Sequence, residues 1–260
     1  MMNRLGVSRF LTGVCLVVGC AGLFDDTGDV QTWALAASPS NMYARALGPI
    51  SIARGWTTLA DPSCPTTFWD GQYSYRLNIV GGCSESGGRQ WVGSVSVSAD
   101  YLGANVTFDS FGNFAGTEPR ALLSGKIALL YTRRDPHVFK AHFVELGDTA
   151  ATFHFEGEVE ASFDGPSLWN GTGRVERDGP VDPSGQIIIQ TIDELIDDSV
   201  CPGQPLSGQQ KLESEGQVAI IDYDGATDCD AAQTAQLAVD GEARGAIALP
   251  RSAQRPVLTQ

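Results

Sequence analysis

Two short stretches of this sequence carry side chains at spacings that could do chemistry. In the first, residues 151–163, the residues His154, Glu156 and Glu158 alternate with phenylalanine, glycine and valine. Because successive side chains of a strand point to opposite faces, these three would share one face. A histidine beside paired carboxylates can serve acid–base catalysis, so we name all three as candidate catalytic residues. The alternative is a solvated outer face, since neighbours along one strand face lie about 7 Å apart and line no cleft.

The second stretch is rich in aspartate and contains Asp222, Asp224, Asp228 and Asp230 around a glycine turn. Calcium takes oxygen ligands, and carboxylates that converge around a turn can supply them. The spacing resembles the Asp-x-Asp-x-x-x-Asp loops of calcium-binding proteins only loosely, because the third aspartate and the closing glutamate of the EF-hand are absent. The alternative is a strand end followed by an acidic turn that Cys229 holds in place. Calcium is the one cofactor that the sequence suggests.

Other catalytic chemistry has less support in the sequence. A zinc site built from the three histidines, His137, His142 and His154, would need a turn between the first two and a carboxylate ligand. The serine-hydrolase motif Gly-x-Ser-x-Gly, the zinc-protease motif His-Glu-x-x-His and a phosphate-binding loop do not occur in the sequence. The sequence therefore favours a non-catalytic protein over an enzyme.

Two aromatic pairs, Phe68-Trp69 and Trp169-Asn170, lie beside turn residues. Exposed aromatic rings at such positions could stack on sugars. The alternative is that these rings close the ends of a hydrophobic core. A glycan is therefore one of the partners that the sequence suggests.

The elements that must position these residues are short strands. In the stretches 73–79 and 91–97, apolar and polar residues alternate with a period of two, which is typical of half-buried strands. Asp240-Gly241 predicts a two-residue type I′ turn within a hairpin over 236–249. We expect a turn at 110–113. The capping-box spacing of Thr191 and Glu194 predicts one two-turn helix over 191–198.

Short strands separated by glycine, aspartate and proline indicate an all-β fold. We expect a mostly antiparallel sandwich or barrel of many short strands, in a single domain with at most one short helix. The chain of 260 residues is long enough to bury a full core in one domain.

The amino terminus has the pattern of an export signal. Arg4 and Arg9 precede an uncharged apolar run over 10–19, which is too short to span a bilayer of about 30 Å. Val17-Val18-Gly19-Cys20 resembles the lipobox of bacterial lipoproteins, in which the cysteine is diacylated and becomes the first residue. The resemblance covers about twenty residues, and Val17 replaces the usual leucine. The globular part resembles no family of known activity.

The lipobox implies a signal peptide over 1–19, lipidation at Cys20 and anchoring to a membrane. Ala21 follows the cysteine where an aspartate favours inner-membrane retention in Gram-negative lipoproteins, so the resemblance implies the outer membrane, facing the periplasm or the cell surface. We interpret residues 20–42 as a flexible acidic and Ala/Ser-rich tether, and residues 43–260 as the β-domain. The alternative is an ordinary secretory signal cleaved after Ala36.

The remaining cysteines support export. Four of them, Cys64, Cys83, Cys201 and Cys229, permit three pairings. Pairing of sequence neighbours predicts the disulfides Cys64–Cys83 and Cys201–Cys229. The alternative, a thiolate metal site, lacks any Cys-x-x-Cys spacing.

Charge excludes one class of partner. Loss of residues 1–19 removes two arginines and changes the formal charge from −14 to −16. Nucleic-acid binding depends on lysine and arginine, so we expect no nucleic-acid partner. The sequence thus indicates a lipid-anchored cell-envelope protein with a non-catalytic binding or structural role, and an envelope protein or glycan as its partner. The alternative is a secreted glycan-binding protein or hydrolase that acts on envelope or extracellular polymers.

Overall fold

A computed structural model describes residues 22–37, 61–70, 75–115, 122–130, 137–146, 150–161, 166–178, 184–197, 200–201, 205–223 and 233–249. These residues form one helix, α1 (Thr27–Ala36), and fourteen strands. The strands are β1 (Thr66–Asp70), β2 (Tyr75–Val80), β3 (Cys83–Ser84), β4 (Arg89–Ala99), β5 (Gly103–Ala115), β6 (Leu122–Leu130), β7 (His137–Leu146), β8 (Ala150–Ala161), β9 (Ser167–Asp178), β10 (Gly185–Ile196), β11 (Pro205–Ser214), β12 (Gln217–Asp222), β13 (Gln233–Val239) and β14 (Glu242–Leu249).

The strands follow one another in space in the order of the chain. The hydrogen-bonded path runs β1-β2-β4-β5 and on through every strand to β14, and the two-residue strand β3 pairs with β4. Neighbouring strands are antiparallel at every described pairing along this path. The predicted all-β, mostly antiparallel class is confirmed. Since each connection reverses direction, alternate turns lie at the same end of the sheet.

The predicted alternation of buried and exposed residues is confirmed in the described parts of the two predicted stretches, which lie in β2 and β4. Leu77 and Ile79 of β2 are buried, whereas Arg76 and Asn78 between them are exposed. In β4 the buried positions are Trp91, Val95, Val97 and Ala99. The inward side chains of the sheet and those of α1 belong to one hydrophobic core, so the described residues form a single domain.

The predicted turn over 110–113 is wrong, because β5 continues through it. Ser110 has a positive φ of 49°, and the pairing with β4 shifts at this point from Val92–Gly112 to Ser94–Asp109. This arrangement is a β-bulge, which inserts residues into a strand without ending it. Gly93 faces the bulge so closely that a Cβ there would lie 2.1 Å from the Ser110 carbonyl oxygen. The polar and glycine residues that suggested a turn therefore form a bulge.

The predicted helix over 191–198 is also wrong, because β10 extends through Ile196. Its register with β11 shifts between Ile192 and Leu195, and Asp193 has a positive φ of 47°. This bulge places Thr191 and Glu194, three residues apart, on the same buried face. The spacing that resembled a capping box thus comes from an extra residue in a strand.

The predicted hairpin over 236–249 is confirmed by β13 and β14. Its two central residues, Asp240 and Gly241, both have positive φ, at 52° and 80°, as a type I′ turn requires. The turn is also fixed to β12, because the backbone N–H of Val218 donates to Asp240 Oδ1 at 2.8 Å.

The structure differs from the predicted flexible tether, because Thr27–Ala36 is a helix that packs on the sheet. The Asp26 side chain caps its amino terminus by accepting a hydrogen bond from the Gly28 N–H at 2.6 Å. Phe24, Val30 and Trp33 are at most 1% exposed. Apolar residues set between the aspartates therefore bind this segment to the domain. Residues 38–42 of the predicted tether lie outside the described residues.

Two side chains of the sheet hold the segment in place. Gln217 Oε1 accepts from the Phe24 N–H at 3.1 Å, and Gln217 Nε2 donates to Asp25 Oδ1 at 3.0 Å. The Arg177 guanidinium lies over the Trp33 ring, 5.5 Å from its centre. Burial lowers the pKa of Arg177, and the nearby Asp29 charge opposes this shift. Within the described residues no helix is long and apolar enough to cross a membrane.

The predicted disulfide Cys64–Cys83 is confirmed. It joins the segment before β1 to β3 and closes a loop with a sequence separation of 19. A loop of this size contributes about 3 kcal/mol to stability in the chain-entropy account. Cys201 is disulfide-bonded and buried as well. Cys229, the partner that we predict for it, lies outside the described residues.

Candidate functional site

The predicted calcium-binding and lipidation residues are only partly described. Asp222 ends β12, and its Oδ2 accepts a hydrogen bond from Gln209 Nε2 at 3.1 Å. Asp224, Asp228 and Asp230 lie outside the described residues, as does Cys20. Within the described ranges, no group of three or more His, Cys, Asp or Glu residues is placed to hold a metal ion. Calcium binding by the aspartate stretch stays a prediction.

The candidate catalytic residues lie on the exposed face of β8. His154, Glu156 and Glu158 are all exposed, whereas Phe153 and Phe155 beside them are buried, as the alternation predicts. In the register, His154 pairs with His142 of β7 and Arg174 of β9, and Glu156 pairs with Lys140 and Thr172. The register thus places one acidic and one basic position side by side, Glu156 and Lys140, which favours strand pairing, whereas Glu158 pairs with Val138 and Asn170. The three residues are spread along a solvated surface.

A different group of polar side chains lies on the buried face of β10 and β11 and at the residue that follows β12. We call it the inner polar cluster; its members are Thr191, Glu194, Gln210 and Tyr223, which are between 0% and 6% exposed. The register pairs Thr191 with Gln210, and the Tyr223 N–H donates to the Gly208 carbonyl oxygen at 2.9 Å, which holds the end of β12 beside β11. Four polar side chains, three in β10 and β11 and one directly after β12, thus share the core with apolar neighbours.

Hydrogen bonding and charge connect the members of the inner polar cluster. The Tyr223 hydroxyl donates to Gln210 Oε1 at 3.4 Å. Burial raises the pKa of Tyr223 well above its usual value, and the nearby Glu194 carboxylate raises that pKa further. The phenol therefore keeps its proton at neutral pH and acts as a hydrogen-bond donor inside the core.

The inner polar cluster retains capacity for further hydrogen bonds. Thr191 Oγ1 and Gln210 Nε2 are buried and have no hydrogen-bond partner among the described residues. An unsatisfied buried polar atom costs about 1–3 kcal/mol. The cluster therefore carries an amide donor and a hydroxyl that the described residues leave unpaired.

Aromatic side chains and glycines surround the cluster on β8 and β9. Trp169, which pairs with Glu194 in the register, is 1% exposed and donates from Nε1 to Ser167 Oγ at 3.0 Å. Gly171 pairs with Thr191, and a Cβ there would lie 2.4 Å from Phe155 Cζ. The Phe155 ring thus covers the glycine backbone next to the cluster. Of the two aromatic pairs named from the sequence, Trp169 belongs to the core.

The other aromatic pair is exposed. Phe68 and Trp69 are 54% and 56% exposed on β1, the strand at the amino-terminal edge of the described sheet. Both rings are therefore accessible for stacking on a sugar or a protein.

Sequence reasoning missed the inner polar cluster because it assigned Thr191 and Glu194 to a helix. A signal existed in the alternation Ile187-x-Ile189-x-Thr191, which places Thr191 on the buried face of a strand. The same alternation in β11 places Gln210 two residues before the buried Leu212. Only the bulge at Asp193, which the sequence does not mark, brings Glu194 to that face.

No protein-family model, no curated protein and no solved structure matches this chain. The functional proposal therefore rests on the sequence, the fold and the placement of the polar side chains.

Proposed function

We propose that this chain is a lipid-anchored cell-envelope protein with a non-catalytic binding or structural role. The observation that carries the proposal is the disulfide between Cys64 and Cys83 within the folded domain. Disulfides persist in oxidising compartments and are rare in the cytosol. A disulfide-bonded domain that follows a lipobox fits a protein that is exported and held at a membrane by lipid on Cys20.

The position of the candidate catalytic residues supports a non-catalytic role. An active site needs a concave pocket in which polar groups converge. His154, Glu156 and Glu158 instead lie on the exposed face of a strand, where the register places Arg174 beside His154 and Lys140 beside Glu156. Their pattern is accounted for by the solubility and pairing of the strand.

Lipidation is tested by metabolic labelling with radioactive palmitate in an expressing bacterium. Cys20→Ser should abolish the label and release the protein from the membrane fraction. Cys15→Ser is the matched control, because this cysteine lies within the apolar run and should be dispensable for acylation. Palmitate labelling that survives Cys20→Ser, or that depends equally on Cys15, would refute the proposal.

A second candidate function, glycan binding, is favoured by the exposure of Phe68 and Trp69 on β1. Stacking of a sugar on a tryptophan changes its fluorescence, so titration with soluble peptidoglycan fragments tests this function. Trp69→Ala should weaken binding at least tenfold, whereas the control Tyr101→Ala removes a ring that is 82% exposed between β4 and β5 and should not. Equal binding by both variants would exclude β1 as the glycan site.

A further inference from the structure

The segment that follows the predicted lipidation site is docked on the sheet almost from its start. Gly22 donates its N–H to Asp25 Oδ2 at 2.7 Å, and Phe24 is 1% exposed. Asp25 and Phe24 are both hydrogen-bonded to Gln217 at the beginning of β12. Only Ala21 separates Cys20 from Gly22, so the Cα atoms of Cys20 and Gly22 are at most about 8 Å apart.

This docking point defines one end of the sheet. The turn between β11 and β12, at Glu215-Gly216, immediately precedes Gln217, and the turn at Asp240-Gly241 lies at the same end because alternate turns of the sheet share an end. We call this the near end. The turn between β4 and β5, which contains Tyr101, lies at the opposite end, the far end.

We propose that the lipid on Cys20 holds the near end of the sheet directly against the bilayer, so that the far end points away from it. The inference rests on the proposed lipidation of Cys20. A flexible tether of about twenty residues would let the domain turn freely about its anchor, with a mean span of about 25 Å. A docked segment allows no such freedom, because the acylated residue stays within about 8 Å of a hydrogen-bonded backbone.

The charges of the near end show what kind of contact this is. Its exposed side chains include Glu215, Asp240 and Glu242, with Arg244 beside Glu242, together with Asp25 and Asp26 of the docked segment, so acidic groups outnumber the basic one among them. Basic side chains favour contact with anionic lipid headgroups, and acidic ones oppose it. The bilayer contact is therefore held by the two acyl chains, which anchor stably without help from charge. It should form on zwitterionic lipid and survive high salt.

The test measures the depth of two probes on the full-length lipidated protein in phosphatidylcholine vesicles that contain spin-labelled lipid. Glu242→Cys places a fluorophore at the near end, and Tyr101→Cys places the same fluorophore at the far end; both side chains are exposed. Quenching by the spin-labelled headgroups should be several-fold stronger for the Glu242→Cys probe. Equal quenching, or stronger quenching of the Tyr101→Cys probe, would overturn the orientation.

The matched control inserts about twenty glycine and serine residues between Ala21 and Gly22 in both labelled proteins. The longer linker should bring the two quenching values together while membrane binding persists. Mass spectrometry of the same samples separates the two proposals. A chain without acyl groups would overturn the proposed lipidation and the orientation with it, whereas an acylated chain with equal quenching would overturn the orientation alone.

Discussion

The buried faces of two regions of the sheet differ in chemistry although the strands are alike. In β4 and β5 the inward residues Trp91, Val95, Val97, Val106 and Phe108 are all apolar, and we call them the apolar region. In β10 to β12 the inward residues include the inner polar cluster. Both regions lie in antiparallel strands with a bulge. The alternation of inward and outward positions therefore identifies the strands in both regions. It does not show whether the inward side chains are all apolar or include polar groups.

The largest effect is expected for Phe108→Ala in the apolar region. Phe108 is 3% exposed, and its ring centre lies 6.3 Å from that of Phe111. Removing a buried ring costs about 3–5 kcal/mol, which lowers the Tm of a domain of this size by roughly 6–20 °C. Chemical denaturation with Thr107→Ala, an exposed neighbour, as the control measures this loss. A change below 1 kcal/mol would show that Phe108 is not a packed core residue.

Two isosteric substitutions in opposite directions, one in each region, test whether the inward faces differ in chemistry. Val106→Thr adds a hydroxyl to the apolar region and should destabilise by about 1–3 kcal/mol, because the hydroxyl is buried among apolar side chains. Thr191→Val removes a buried hydroxyl that has no hydrogen-bond partner among the described residues, so it should be neutral or stabilise by up to about 1 kcal/mol.

Urea denaturation of both variants measures the difference. Opposite signs would confirm that the two inward faces differ in chemistry. A loss for Thr191→Val as large as that for Val106→Thr would mean that the Thr191 hydroxyl is satisfied in the folded protein.

The two regions also show which parts of the fold the sequence predicts and which it does not. Alternation identified the buried residues of β2 and β4, and positive-φ turn chemistry identified the hairpin at Asp240-Gly241, because both are local properties. The bulges at Ser110 and Asp193 could not be predicted, since they depend on the pairing with a neighbouring strand. Docking of α1 was missed for the same reason: the partners of Phe24 lie nearly two hundred residues away in the chain.

A smaller effect is expected for Tyr223→Phe in the inner polar cluster. The variant loses the hydrogen bond to Gln210 Oε1, which is long at 3.4 Å, and should be less stable by about 0.5–1.5 kcal/mol at neutral pH. Its dependence on pH is more diagnostic. Burial raises the pKa of the folded phenol above its ordinary 10.0, so the unfolded chain ionises first as the pH rises.

The stabilisation due to the buried neutral phenol is fully present below pH 10.0 and is lost as the pH rises from there towards the folded pKa. The loss should reach about 1.4 kcal/mol per pH unit for this single proton. Denaturation curves on both sides of pH 10 should show a steeper loss in the wild type than in Tyr223→Phe. Tyr101→Phe, which changes an exposed tyrosine, should keep the steeper slope. Parallel slopes for all three proteins would mean that Tyr223 is not buried.

The smallest effect is expected for Glu158→Gln on the exposed face of β8. The substitution keeps the shape of the side chain and removes a charge that solvent screens, so stability should change by less than about 0.5 kcal/mol. Denaturation and the fluorescence titration with peptidoglycan fragments check this. A loss above 1 kcal/mol would show that the Glu158 charge takes part in a stabilising interaction, and a loss of glycan binding would place Glu158 in a binding site. The outward polar residues are the ones that the sequence marks most clearly, yet they should matter least to stability, because only the inward face forces a polar group to find its partner within the protein.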